Sequence, residues 1–215
     1  MSCRTLVPVG NEGRVRLTGA ARRAQLVEVG RAVFAERGYE AASVEEIAER
    51  AKVSKPIVYE HFGGKEGLYA VIVDREIQTI LDRITQAISS GSPRERVERA
   101  ALAFLTYVEE EPNGFTVLSR DAPGRMSSLL NELADRVGAI FTAEFKRAGY
   151  DPKAAPIYAN GLIGMVAFVG QWWTEVRKPS VETVASHVAA LGWMGLRHLP
   201  KKPEKLRPQR DSKAD

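Results

Sequence analysis

The chain has 215 residues, of which 44% are hydrophobic and 27% are charged, as expected for a soluble globular protein with a sizeable core. Its single cysteine, Cys3, excludes an internal disulfide and a thiolate metal site. The N-terminus lacks the apolar stretch of a signal peptide, and the longest apolar run, near residues 161–170, is too short to span a bilayer. We therefore expect a cytoplasmic protein with no membrane partner.

The net charge of +4 is concentrated at the two ends of the chain. Residues 1–23 and residues 197–215 each carry +4, whereas the part between them carries −4. Residues 1–19 and 200–215 show no sustained periodicity, so we predict a disordered basic arm and a disordered basic tail. Basic arms often touch nucleic acid, but they also serve only solubility, and both interpretations stay open.

The first helix is predicted to begin at Ala20. Leu26, Val29 and Val33 follow the three-to-four spacing of an apolar helix face. Gly38 then stands where a helix usually ends in a left-handed residue.

Two short helices follow the first. Ser43 is a good N-cap, and Glu46 three residues later completes the pattern of a capping box. Ser54 is expected to cap the next helix, with Pro56 in its first turn, where a missing N–H costs little. Gly63 and its neighbouring glycine end this helix.

The remaining chain is predicted to form one long helix over residues 65–89 and five further helices before residue 199. No stretch alternates with period two, so the predicted fold is all-α. It divides into a small three-helix unit at residues 20–66 and a larger helical unit at residues 67–199.

The two short helices with their tight turn have the length of a helix-turn-helix. In such a unit the second helix enters the major groove of DNA, and its first residues meet the base edges. Tyr59 and His61 can hydrogen-bond phosphate oxygens, and Lys65 at the start of the long helix could hold another phosphate. The predicted local charge of +3 comes from Arg50, Lys52, Lys55 and Lys65 against Glu60.

The segments Ala32–Tyr39, Ser43–Ala48, Val53–Phe62 and Lys65–Leu68 closely resemble the TetR family of bacterial regulators. The match covers residues 20–70, and the remainder matches in architecture only. The resemblance implies a homodimer paired through the last two helices, a C-terminal ligand-binding and dimerisation domain, and repression that a small molecule relieves. It also implies DNA contacts by Ser43, Ser54, Lys55, Pro56, Tyr59, His61 and Lys65.

Two further residues, Lys52 and Ile57, join the predicted DNA-binding set. Lys52 stands where the family most often has glycine, in Ala-Gly-Val-Ser. In a left-handed conformation lysine costs about 1 kcal/mol against glycine, and we interpret Lys52 as a tolerated variation that adds a phosphate contact. Ile57 and Val58 are predicted to be partly core, and either could touch a thymine methyl group.

The larger unit is rich in aromatic residues and methionine, which suits an apolar ligand cavity between helices. The alternative for each residue alone is a filled core. Gly161, Gly164 and Gly170 indicate close helix approach or space beside a ligand, and adjacent Trp172 and Trp173 are expected to face a pocket and a dimer seam. The predicted ligand-binding residues are Phe104, Tyr107, Phe115, Leu118, Phe141, Met165, Phe168, Val169 and Trp172.

An enzyme is not expected, because the sequence lacks a Walker A loop, a dinucleotide-binding glycine signature, His-Glu-x-x-His and Gly-x-Ser-x-Gly. His61, His187 and His198 are far apart in the sequence, so neither a metal nor a cofactor is predicted. The hypothesis is a repressor that binds a palindromic double-stranded DNA operator as a dimer and is relieved by a small apolar or amphipathic effector. The alternatives are a ligand-independent regulator or activator acting through a protein partner, and, more remotely, a helical-bundle enzyme or carrier.

Overall fold

The computed structural model describes residues 17–201 and residue 203. Every regular element in that part of the chain is helical, which confirms the predicted all-α fold. The predicted disordered segments, 1–19 and 200–215, lie largely outside the described residues. The helices are α1 (Gly19–Arg37), α2 (Val44–Arg50), α3 (Lys55–Phe62), α4 (Lys65–Ile88), α5 (Pro93–Glu110), α6 (Pro112–Thr116), a π-helical turn (Val117–Asp121), α7 (Pro123–Ala148), a 3-10 turn (Pro152–Ala154), α8 (Ala155–Val176) and α9 (Val181–Arg197).

The helix starts follow the capping residues, with two corrections. α1 begins one residue earlier than predicted, because Thr18 accepts a hydrogen bond from the amide of Ala21. Ser43 caps α2 by accepting from the amide of Glu46. The Glu46 carboxylate, however, turns to Arg37 and Arg50, so the predicted capping box is only half formed.

α1 to α3 and the first turns of α4 enclose one small core. Leu26 and Phe34 of α1, Ile47 of α2, Val58 of α3 and Leu68 of α4 are all fully buried in it. Each short helix thus contributes an apolar side chain that it could not bury alone. We call residues 20–66 the DNA-binding unit and α5 to α9 the helical body.

α4 joins the two parts. Its apolar stripe is buried from Leu68 to Ile84, and Ile88 at its end is half-buried. α6 begins at Pro112 and continues directly as the π-helical turn.

The last two helices leave apolar surface uncovered. Ile157, Phe168 and Trp172 of α8 are 71%, 73% and 47% exposed, and Leu191 of α9 is 67% exposed. The segment Pro152–Val176 is long and apolar enough to cross a membrane by length and composition, although the sequence had suggested a shorter apolar run.

Candidate DNA-binding surface and helical-body cavity

The helix-turn-helix is fastened to α1 at its turn and at the end of α3. Gln25 donates a 3.2 Å hydrogen bond to the carbonyl of Ala51, where α2 ends. Arg23 donates a 2.8 Å hydrogen bond to the carbonyl of His61, near the end of α3, and its guanidinium lies 4.3 Å from the centre of the Phe62 ring. These contacts fix the orientation of α3, and the sequence had suggested only DNA contact or solvation for Arg23.

One face of α3 is open to solvent. Lys55, Pro56 and Tyr59 are exposed on it, whereas Val58 is fully buried and cannot reach a base. Ile57 and His61 are half-buried at the edges of this face. The first residues of α3 are therefore free to approach DNA, as the helix-turn-helix pattern predicts.

Two glycines shape the corner after α3. Gly63 adopts a left-handed conformation with φ 75°, which ends the helix. A Cβ atom on Gly67 would lie 1.9 Å from the carbonyl oxygen of Phe62, so α4 can pass this close to α3 only with glycine there.

The turn between α2 and α3 contains Lys52 in a left-handed conformation, with φ 57°. The family most often has glycine at this position. Because Lys52 is left-handed, the expected cost of about 1 kcal/mol against glycine applies to it. The Lys52 side chain is exposed and forms no ion pair within residues 17–201.

Two other cations of this surface are held by carboxylates. Lys55 pairs with Glu45, and Arg50 pairs with Glu36 and Glu46. The hydrogen bond between Lys55 and Glu45 lowers the pKa of the glutamate and raises the pKa of the lysine. The predicted local charge of +3 is therefore too high, because it left out these three glutamates.

Lys65 has a structural role that corrects the prediction for its side chain. Its ammonium donates hydrogen bonds to the carbonyls of Tyr39, Glu40 and Ala42, at 2.9, 3.3 and 3.2 Å. It also lies 4.5 Å from the centre of the Tyr39 ring. All three of its N–H donors are occupied, so Lys65 stabilises the α1–α2 turn and has no donor left for a phosphate.

The two predicted capping serines differ in what their side chains do. The Ser43 hydroxyl accepts a hydrogen bond from the backbone, whereas Ser54 stands at the N-cap of α3 without a side-chain cap bond. The Ser54 hydroxyl is exposed and available to a ligand of α3.

A buried polar cluster joins the DNA-binding unit to the helical body. Glu76 of α4 is only 3% exposed and accepts hydrogen bonds from Arg31 of α1 at 3.3 Å and from the hydroxyl of Tyr107 of α5 at 2.7 Å. Arg31 also pairs with Glu111, which follows α5. Burial and the nearby Glu76 raise the pKa of Tyr107 far above its ordinary range, so its hydroxyl stays a donor.

A second junction lies at the end of α1. Arg120 donates a 2.6 Å hydrogen bond to the carbonyl of Phe34, and the carboxylate of Asp121 accepts a 3.1 Å hydrogen bond from the amide of Tyr39. Both side chains belong to the π-helical turn. No local sequence pattern predicts these links, which join residues more than 80 positions apart.

The helical body encloses an apolar cavity of about 100 Å³ between α4, α5, α7, α8 and α9. Three predicted ligand-binding residues line it: Phe104, Phe141 and Met165. Val97, Val137, Leu162 and Val188 also line it, and all four belong to the apolar stripes of their helices.

Six predicted ligand-binding residues lie elsewhere. Tyr107, Phe115 and Leu118 are buried in the core and do not line the cavity. Phe168 and Trp172 are exposed, and Val169 is half-buried outside the cavity wall. The sequence shows that these side chains are apolar, but it does not show which apolar surface each of them joins.

The glycines and tryptophans of α8 separate in the same way. A Cβ atom on Gly170 would lie 2.7 Å from Phe104, so Gly170 allows α8 to approach α5. Gly161 and Gly164 have open space beside them. Trp172 is exposed, whereas Trp173 is buried and donates to the carbonyl of Pro179. Neither tryptophan lines the cavity, so the expectation that one of the two faces a pocket is corrected.

Comparison with known proteins covers both parts of the fold. Residues 26–72 match the family described as bacterial regulatory proteins, tetR family, and residues 83–207 match the family described as tetracyclin repressor-like, C-terminal domain. A TetR-like transcriptional regulator from Rhodococcus sp. RHA1 superposes with a TM-score of 0.71 at 27% identity, covering 86% of this chain and all of that one.

Two relatives have assigned regulatory roles. The HTH-type transcriptional activator FasR of Mycolicibacterium smegmatis is 28% identical over 197 residues, which cover 89% of this chain and 90% of that protein. The HTH-type transcriptional repressor KstR2 of Mycobacterium tuberculosis is 28% identical over 109 residues, which cover 50% of this chain and 54% of that protein.

Proposed function

This chain belongs to the TetR family of bacterial regulatory proteins, and from that premise we propose that it is a dimeric repressor released from a palindromic operator by a small apolar or amphipathic ligand. As a member of this family the chain is a DNA-binding transcriptional regulator and not an enzyme. Such a regulator works in the cytoplasm, where bacterial DNA lies. The observation that carries the proposal is the solvent-exposed face of α3, a helix that α1 fastens near its C-terminal end and through the turn before it.

DNA contact is assigned to the exposed start of α3 and the turn before it. Ser54, Lys55 and Pro56 would meet the major groove, with Tyr59 and Lys52 on the flanking phosphates. Lys55 would exchange its pair with Glu45 for a phosphate oxygen. Both partners are exposed, so this exchange costs little.

The second copy of the chain would cover the apolar faces of α8 and α9. Ile157, Gly161, Gly164, Phe168 and Trp172 recur at three- or four-residue steps on one exposed face of α8. The two glycines would let the facing helices approach closely. An apolar stripe of this length on a water-soluble regulator is better covered by a partner than by solvent.

Release would follow from the two junctions between the DNA-binding unit and the helical body. A ligand in the cavity pushes on α4 through Ile84 and on α5 through Phe104, and both helices hold groups of the Glu76 cluster. A shift of these groups would change the spacing of the two copies of α3 away from the 34–36 Å between successive major grooves.

The test uses fluorescence anisotropy with the protein's own upstream DNA and with shuffled DNA of equal length. We expect preference for the upstream DNA and its loss in the Lys55→Ala, Tyr59→Ala double variant, with an unchanged melting temperature. Lys146→Ala, which removes an exposed cation from α7, is the matched control and should bind as the parent does. Equal affinity for both DNAs would disprove operator-specific binding.

The effector is tested by thermal melts against a library of apolar compounds, followed by anisotropy with the compounds that raise the melting temperature. Compounds that stabilise the protein should also release the operator. A compound that stabilises the protein and leaves operator binding unchanged would contradict ligand-relieved repression.

Activation is the second candidate, because FasR, which aligns over 89% of the chain, is an activator. The same fold would then recruit a protein partner from its DNA site. A reporter driven by the upstream region distinguishes the two, since deletion of the regulator raises expression under repression and lowers it under activation.

A further inference from the structure

Two charged residues, Arg96 and Glu144, stand in the wall of the cavity, whose other lining residues are apolar. Arg96 lies in the first turns of α5 and lines the cavity together with Pro93 and Val97. Its Nε atom is buried and has no hydrogen-bond partner. Among the described residues, the Arg96 side chain forms no hydrogen bond, ion pair or ring contact.

A buried guanidinium N–H without a partner is costly, and buried charges in proteins are normally paired. The other arginines at this end of α5 have partners even though they are more exposed, since Arg94 pairs with Glu98 and Arg99 donates to the carbonyl of Ser90. Arg96 therefore stands apart from its neighbours on the same helix.

We propose that Arg96 binds the anionic headgroup of an amphipathic ligand whose extended apolar tail fills the cavity. The inference rests on the proposed ligand-binding function of the helical body and names the class of ligand. A carboxylate or a phosphate would accept from Nε and a neighbouring Nη of the guanidinium, whose parallel N–H groups match two oxygens of such an anion.

The position of Arg96 along the cavity sets the orientation of this ligand. The cavity wall on α5 runs from Pro93 to Phe104, which is about 16 Å along a helix axis. Pro93 is exposed and Phe104 is buried, so Arg96 lies near the outer end of the wall. The headgroup would stay at this outer end while the tail extends inward toward Phe104.

The second charged residue of the wall does not oppose an anion. Glu144 of α7 pairs with Arg147, whose side chain is 72% exposed, so this carboxylate is directed to the surface and already compensated. A cationic headgroup drawn to Glu144 is the competing possibility, and the experiment includes it.

The experiment is calorimetric titration of the full chain with four probes of one chain length, each below its micelle-forming concentration. The probes are dodecanoate, dodecyl phosphate, dodecanol and dodecylamine. We expect one or both anions to bind at least about tenfold more tightly than dodecanol. The anion with the higher affinity identifies the headgroup. Equal affinity for all probes, or a preference for dodecylamine, would overturn the proposal.

Variants then assign the preference to Arg96. Arg96→Gln should lose the preference for the anionic probes and bind dodecanol as the parent does. Arg96→Lys should retain part of this preference. Arg94→Gln is the matched control and should retain all of it. A preference that survives in a folded Arg96→Gln protein would overturn the assignment.

Operator binding without any probe is measured for each variant. If the parent protein does not prefer operator DNA, the proposed function is wrong. If it binds the operator but does not prefer the anionic probes, this inference alone is wrong.

Discussion

The DNA-binding unit and the helical body obtain their functional surfaces in different ways. In the DNA-binding unit, hydrogen bonds and glycines fix the backbone, as at the Gly67 corner and at the carbonyls held by Arg23 and Lys65. In the helical body, the cavity is the space that apolar side chains from five helices leave between them.

This difference indicates how each part should respond to mutation. A small change of backbone in the DNA-binding unit should disturb α3 as a whole. A change in the helical body should act through volume or through the few buried polar contacts. Paired substitutions test the comparison.

The largest effect is expected for Gly67→Ala. Its new Cβ atom would meet the Phe62 carbonyl oxygen, and the forced shift of α3 against α4 should cost about 3 kcal/mol of stability and weaken operator binding. Gly124→Ala in α7 is the matched control, because nothing lies within 4 Å of its Cβ position. Urea denaturation should show the control unchanged or slightly more stable, and equal losses in both variants would refute the corner's role.

Removing the hydroxyl of Tyr107 and, in a second variant, that of Tyr69 compares a buried hydroxyl that has a hydrogen-bond partner with one that has none. Tyr107→Phe deletes the buried bond to Glu76 and should cost about 2 kcal/mol. Tyr69→Phe should cost nothing, because its buried hydroxyl has no hydrogen-bond partner among the described residues. Burial, with a smaller effect of Asp121, raises the pKa of Tyr69 to about 12, so both hydroxyls are neutral in an ordinary denaturation experiment. A larger loss for Tyr69→Phe would contradict the assignment.

Two residues with positive φ allow the same backbone change in both regions. Lys52→Gly and Arg177→Gly should each relieve about 1 kcal/mol of strain, since their φ values are 57° and 54°. Only Lys52→Gly should change DNA binding, lowering the salt slope by about one if Lys52 contacts a phosphate. An unchanged slope would remove Lys52 from the DNA-binding set.

The smallest effect is expected at the N-cap of α3. Ser54→Ala should change stability by less than about 0.5 kcal/mol, because the side chain forms no cap bond. Ser43→Ala should cost about 1 kcal/mol, because its hydroxyl caps α2. Thermal denaturation of the two variants provides the comparison, and a larger loss at Ser54 would show a cap that the structure lacks.

The sequence predicted what depends on neighbouring residues. The helices and the Ser43 cap follow from local spacing and capping chemistry, and α3 begins as expected. A left-handed conformation at Lys52 was suggested only by the glycine that the resembling family has there. The Glu76 cluster and the Arg120 contact join distant parts of the chain, and no local pattern contains them.

The cavity illustrates the same limit. Periodicity places Phe104 and Phe168 on apolar helix faces, but one lines the cavity and the other is exposed. Which apolar face meets a cavity depends on how five helices pack together, and this is decided only in three dimensions.

α1 has a mechanical consequence that follows from its length. Arg31 is held by the body-side cluster, and Arg23, eight residues earlier, holds the end of α3; the two are about 12 Å apart along the helix axis. A tilt of α1 by about 10° about Arg31 would carry Arg23 through roughly 2 Å, so a small rotation at the polar cluster would be felt at the end of α3.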